Sequence, residues 1–308
     1  MNFVTPNKEE INPFLQLLLL LFYAVLGALV FLVIGLVINF AMYGTALTSN
    51  LTLLLSGDEK YINGFKIIQI LSSIGTFIIP TYALALTEGK MVRNLYGFKK
   101  PVLALLVFVL LIMVAGMPLI ELSGMWNQKM ALPPFLKDIE AWMKEKEEVA
   151  MELTIKMLTV RSSFDFIVNL VMIAIIPAIG EELMFRGGVQ RSLNRAFSNP
   201  HVAIWLSAII FSAIHFQFYG FLPRMLLGAG FGYLYYFSGS LWYAMIAHFI
   251  NNAYAVCVAL YMQKHNMPLD KADEPIGFPW YGYLFSAIIT IALFKLFKDS
   301  ANRERKLD

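Results

Sequence analysis

A single cysteine, four histidines and a charged fraction of only 15% leave this 308-residue chain poor in the residues that soluble chemistry usually draws on. Cys257 has no possible partner within the chain, so disulfides and cysteine zinc cages are excluded. Ordinary soluble domains carry roughly 25% charged residues. Here 58% of residues are hydrophobic and the mean hydropathy is +0.65, which excludes a typical water-soluble enzyme. The net charge is +3 and like charges never run beyond a few residues, so no nucleic-acid partner and no polybasic anchor is indicated. Internal repeats and low-complexity segments are also absent.

What the chain has instead is long apolar stretches. No charge occurs between Glu10 and Asp58, and the richest part, Phe14 to Met42, exceeds the apolar core of a secretory signal. Seven more candidate spans follow: Ile67 to Thr87, Val102 to Ile120, Phe166 into the Glu181 region, Val202 to Phe218, Phe221 to Phe237, Leu241 to Met262, and Trp280 to Leu293. The expected fold is all-α, a polytopic integral membrane protein of about eight transmembrane helices forming one domain over 1–308. The longest connection, 121–165, holds Pro133 and Pro134 and then an amphipathic pattern, with Ile139, Trp142, Val149 and Leu153 recurring among charges. It reads as an outer-surface helix that packs over the bundle. Gly228 and Gly232 read as a close helix contact.

Sidedness follows from Lys and Arg in alternate connections. With the N-terminus inside, the inner segments hold Lys8; Lys90, Arg93, Lys99 and Lys100; Arg186, Arg191 and Arg195; and Lys295, Lys298, Arg303, Arg305 and Lys306. That is thirteen of the 24 basic residues. The inner side carries a positive excess and the outer side does not, so the expected location is a membrane, multi-pass, with both termini cytoplasmic.

Ionisable groups at membrane depth are costly and normally face a partner or a water-filled cavity. Those inside the apolar stretches are Glu181, Glu182, Arg186, His215 and His248, with Arg224 interrupting the sixth span and Asn252 one turn beyond His248. A straight-helix count about the Asn199-Pro200 turn sets Glu181 and His215 at matching depth, and His248 and Asn252 shallower unless the turns differ in height. Adjacent Glu181 and Glu182 point roughly 100° apart, so separate jobs are expected. Glu182 lies four residues before Arg186, which favours an ion pair. Asn169, Gln190 and Asn251 read as structural.

Three motifs stand in order on separate spans: Glu181-Glu182-Leu-Met-Phe-Arg186, Phe211-Ser-Ala-Ile-His215 and His248-Phe-Ile-Asn-Asn252. Over roughly Phe166 to Cys257 they resemble the CAAX protease and bacteriocin-processing enzyme family, intramembrane endopeptidases that include the type II CAAX prenyl endopeptidase. The resemblance implies hydrolysis of a peptide bond in a lipidated or membrane-inserted substrate within the bilayer. Glu181 would be the general base activating water, with His215 beside it. His248 and Asn252 would stabilise the oxyanion. Glu182, Arg186 and Phe211 would orient the site, Glu182 with a more direct part open to it. A desolvated carboxylate is a better base near neutrality, which supports this logic apart from the family.

Metal use stays open at this level. Glu181, His215 and His248 could hold zinc with one position left for water, the ground on which such enzymes are called metalloendopeptidases. The chain lacks a His-Glu-x-x-His helix, however, and metal-free glutamate catalysis is an equal alternative. Two other classes compete: a proton-coupled membrane transporter, and a non-catalytic immunity or scaffold protein that keeps the fold. On the charge count, cysteine labelling in the connection around Gly97 and in the one around Glu145 should report opposite membrane faces. Labelling from the same face would overturn the eight-span topology.

Overall fold

The computed structural model describes residues 9–272 and 274–307, so Lys8 and Asp308 of the charge count lie outside the described residues. It is a helical bundle with no strand among those residues. The main helices are α1 (Pro13–Tyr43), α2 (Glu59–Thr87), α3 (Leu103–Gln128), α4 (Lys137–Leu158), α5 (Ser163–Phe197), α6 (Pro200–Ala213), α7 (Phe221–Ser238), α8 (Leu241–Lys264) and α9 (Trp280–Leu307). Six of these, α1, α2, α3, α5, α8 and α9, are long and apolar enough to cross a membrane.

Two of the eight expected spans fall short of that standard. The α6 helix has 14 residues and α7 has 18. At about 1.5 Å per residue, α6 covers about 21 Å of a hydrocarbon core of about 30 Å. It also ends at Ala213, so His215 lies on the turn beyond it and not within a helix. Phe216 in that turn has a φ of 52°, which no helix continues through. The turn stays below the outer surface and is roofed: Trp142 of α4 meets Phe218 with ring centroids 5.5 Å apart, and Asn127 of α3 donates to the Phe218 carbonyl at 2.9 Å. The α3 helix runs past Pro118 to Gln128, into the start of the expected extramembrane connection.

The bundle is sorted inside out relative to a soluble protein. On α1 the buried residues are Gln16, Leu20, Ala24, Gly27, Gly35 and Asn39, whereas Leu18, Leu21, Phe22, Val33 and Val37 are each more than half exposed. Small and polar groups face neighbouring helices and large apolar ones face outward, as lipid demands. The closest crossing is α1 on α2, where a Cβ built on Gly27 would lie 2.0 Å from the Gly75 carbonyl oxygen. A buried Lys66, which falls just before the second apolar stretch, ties α2 to α5 by donating to Asn169 Oδ1 at 2.8 Å.

Pro80 and Pro177 sit inside α2 and α5 and cannot supply an N–H. Wider i→i+5 turns precede each, over Ile74–Ile78 and Leu170–Ile175. A third such stretch, Leu183–Gln190, begins directly after the two glutamates and contains no proline.

Contacts between connections sort into two ends. At one, Glu10 pairs with Lys90 at 2.6 Å, with Arg191, and with Arg195 at 3.2 Å, while the Gly97 carbonyl accepts from Leu241 N–H at 2.9 Å. At the other, Arg161 pairs with Glu59, Lys156 reaches the Ser56 carbonyl at 3.2 Å, and Glu121 accepts from Gly277 N–H at 3.0 Å. Burial works to raise the Glu10 carboxyl. The hydrogen bonds from Arg191 and Lys90, with their charges, outweigh it and hold the group at about 2 against an ordinary 4.5. Because the folded carboxyl titrates below its unfolded value, the stabilisation it gives is complete above about pH 4.5 and is lost as pH falls toward 2. Thermal melting of Glu10→Gln should therefore lie below that of the parent at pH 7 and converge with it in acid. Parallel melting curves across that window would show the cluster to be inert.

Candidate active site

Arg186 organises the site. It lies on the wide-turn stretch of α5 and is 1% exposed. Its Nη1 donates to Glu182 Oε1 at 2.8 Å and its Nη2 to the Gly228 carbonyl of α7 at 2.7 Å. Its guanidinium carbon stands 4.8 Å from the Phe211 ring centroid and 5.5 Å from that of Phe231. The ion pair expected from the four-residue spacing is thus present. The Gly228 contact explains why α7 has glycine there, since a Cβ would come within 3.1 Å of both Arg186 Nη2 and the Phe211 ring. One turn on, Gln190 repeats the arrangement by donating to the Gly232 carbonyl at 3.1 Å. The two glycines therefore let α5 side chains bond directly to the α7 backbone, as well as bringing the helices close.

His248 of α8 lands between the glutamates. Its Nδ1 is 2.8 Å from Glu182 Oε1 and its Nε2 is 3.8 Å from Glu181 Oε2. The expectation of separate jobs for the two carboxylates is corrected here, because one imidazole presents a nitrogen to each. The greater depth of His248 than a straight count gives follows from the Leu183–Gln190 stretch, whose wider turns advance less per residue. Phe231 stacks on His248 at 5.2 Å with 19° between the planes, and Phe211 meets its edge at 6.1 Å. Asn252 Nδ2 is 3.2 Å from His248 Nε2 and donates to the Ile173 carbonyl at 2.9 Å, while Asn251 donates to Asn252 Oδ1 at 3.1 Å.

The two adjacent carboxylates have opposite surroundings. Glu182 is fully buried and committed to Arg186 and His248 through one oxygen, its Oε2 having no partner. Glu181 keeps slight exposure at 9% and accepts no hydrogen bond from any described residue. His215 is brought to the same place from the α6–α7 turn, its ring 5.2 Å from that of Phe211. Its Nδ1 is 2.8 Å from the Phe211 carbonyl oxygen and must donate there, which leaves Nε2 with a lone pair and no partner among the described residues. His215 forms no hydrogen bond to either glutamate.

The zinc reading was tested against this geometry. Among the described residues no group of three His, Cys, Asp or Glu side chains is placed to hold a metal ion. Both ring nitrogens of His248 already face protein partners, so Glu181, His215 and His248 do not form a ligand set, and metalloendopeptidase is a description the structure does not support. Two surface cavities lie elsewhere: one of about 380 Å³ between Lys99, Ser240, Tyr243 and Glu304, and one of about 550 Å³ between Arg161, Phe166 and Gln263. Sequence reasoning missed Phe185 and Phe231, since an aromatic in an apolar helix carries no signal of which neighbour it faces.

Residues 163–254 match the family model described as Type II CAAX prenyl endopeptidase Rce1-like. The resemblance drawn from the three motifs is shown over that stretch. At the level of the family it supports a CAAX-type intramembrane protease and a multi-pass membrane protein. A protein of Bacillus subtilis (strain 168) named as the uncharacterized protein YpbD is 27% identical over 112 residues, covering 35% of this chain and 53% of that protein. The chain thus spans about half the length of the curated relative it matches. No solved structure matches.

Because Arg186 is the sole guanidinium on Glu182, its loss strands a buried carboxylate, a change that costs about 3 to 5 kcal/mol. Arg186→Ala should lower the melting temperature as well as any activity, and Gly228→Val should do the same by blocking the Arg186 contact. Unchanged melting in both variants would show that the buried pair does not hold the bundle together.

Proposed function

We propose that the protein is an endopeptidase that uses glutamate-activated water on a lipid-modified or membrane-inserted peptide. The observation that carries this reading is the contrast within one dipeptide. Glu182 is locked in an ion pair, while Glu181, next to it, is sheltered from bulk water, unbonded and flanked by His248. Pairs of carboxylates held in unlike environments are how one site separates a structural from a reacting group.

In this scheme Glu181 removes a proton from a water that His215 Nε2 helps to orient as acceptor. The water oxygen bonds to the scissile carbonyl carbon, and negative charge builds on the carbonyl oxygen. With both glutamates ionised, Arg186 cancels one charge. A proton on His248 Nε2 cancels the other and supplies an N–H for that oxygen. Asn252, whose amide donors engage Ile173 and His248, positions the imidazole and reaches the oxyanion only if it lets go of one of them. The carbon–nitrogen bond then breaks, and the proton held by Glu181 passes to the leaving amine. No step runs through a metal, because the donor set does not fit one.

The site lies among apolar helices under the α4 roof, so a lipid chain or hydrophobic segment is the natural handle for a substrate. Each methylene buried contributes about 0.8 kcal/mol. Both termini are assigned to the cytoplasmic side from the charge distribution.

Purified protein should cleave a lipidated or membrane-inserted reporter peptide and leave the same soluble sequence nearly untouched. Glu181→Gln, His215→Ala and His248→Ala should each lower the rate by about 100-fold or more, with the melting temperature of Glu181→Gln retained. Rates that survive Glu181→Gln, or equal turnover of soluble and anchored peptides, would overturn the scheme.

A further inference from the structure

Arg224 is the one charge in the apolar spans that the three motifs do not account for. It lies in the first turn of α7, immediately after the turn that carries His215. Its Nη2 donates to Gln217 Oε1 at 2.6 Å and its Nη1 reaches the Gln217 carbonyl at 3.4 Å. Those bonds occupy two of the five N–H groups of a guanidinium, and no other hydrogen-bond partner is found for it among the described residues. It stands close enough for its charge to act on Glu181 and on His215. On the opposite side it faces Glu147 of α4, the helix that roofs the site, whose carboxylate also accepts from Tyr219 N–H at 3.4 Å. Arg224 therefore lies between the reacting carboxylate and the outer mouth, clasped by Gln217, with a carboxylate from the roof as its counter-charge.

A partly buried guanidinium with donors to spare, set beside a peptidase site in a low-dielectric wall, matches the fork geometry of a carboxylate. We infer that Arg224 binds a carboxylate of the substrate peptide and that Glu147 occupies this position until substrate displaces it. The inference rests on the endopeptidase reading above and adds to it a substrate class, a peptide with a negative charge near the scissile bond. The carboxylate can come from the free C-terminus or from an acidic side chain.

Three lipid-anchored fluorogenic peptides separate the sources: one with a free terminal carboxylate, one amidated, and one amidated with a terminal aspartate. Wild-type kcat/KM should favour a carboxylate-bearing peptide over the plain amide by about 10- to 100-fold, the range that a charge-assisted hydrogen-bonded pair contributes. Recovery of rate by the aspartate peptide would assign the side chain as the source, and its failure the terminus. In Arg224→Gln the preference should fall to about one, carried by KM, and Arg224→Lys should keep part of it. Glu147→Gln should lower KM for the acidic peptides. A wild-type ratio near one, or a ratio unchanged in Arg224→Gln, overturns the assignment. If wild-type protein cleaves none of the three, the peptidase reading fails. Fluorescence anisotropy of the same peptides, bound to wild type and to Arg224→Gln, then decides the carboxylate assignment, and equal binding of acid and amide overturns it.

Discussion

A guanidinium that is 1% exposed inside a helical bundle has to be met on every side, and the site is built around how Arg186 is met. Glu182 answers its charge, the Gly228 carbonyl takes a second N–H, and Phe211 and Phe231 cover its faces. Each partner comes from a different part of the chain. Desolvating an ion pair in apolar surroundings is a poor route to stability. Its value is geometric, since with Arg186 fixed, Glu182 has one orientation, and with Glu182 fixed, His248 has one nitrogen committed and the other aimed at Glu181.

The wide-turn stretch Leu183–Gln190 follows from the same constraint. Regular turns would stack Glu182, Arg186 and Gln190 along one stripe at an even pitch. Wider turns let successive side chains spread, so that residues from Leu183 through Gln190 are all buried, including both groups that bond to α7 carbonyls. Ser207 of α6 donates to the Phe185 carbonyl within this stretch at 3.0 Å, so the altered backbone ladder is satisfied by a neighbouring helix. Such turns in a membrane helix are tolerated where neighbours take up the freed groups.

Short helices complete the arrangement. Since α6 stops at Ala213, the turn bearing His215 is held below the outer face, and Asn127 and Trp142 close over it from α3 and α4. Residues that look peripheral in the chain, such as Glu147 and Gln217, come to line the approach to a buried carboxylate. A surface helix with no buried residue of its own thereby bears on the site's access.

Much was legible in the linear chain because it depends on local rules. Lipid admits only helices with satisfied backbones, so uncharged stretches longer than about 18 residues identify the spans, and the few charges inside them identify the site. Spacing alone foretold the Glu182–Arg186 pair, since four residues place two side chains on one helix face. Other features had to wait for packing. That His248 serves both glutamates, that His215 lies on a turn, that Gly228 receives Arg186, and that Lys66 meets Asn169 all depend on the relative height and rotation of helices far apart in sequence. Those quantities are set by side-chain volumes at crossings such as Gly27 on Gly75 and by the departures from regular helix at Pro80, Pro177 and Leu183, which shift every residue beyond them. The sequence determined which polar groups would enter the bilayer; only the tertiary structure decided which of them meet, because a helix's own repeat says nothing about how far it slides or turns against its neighbour.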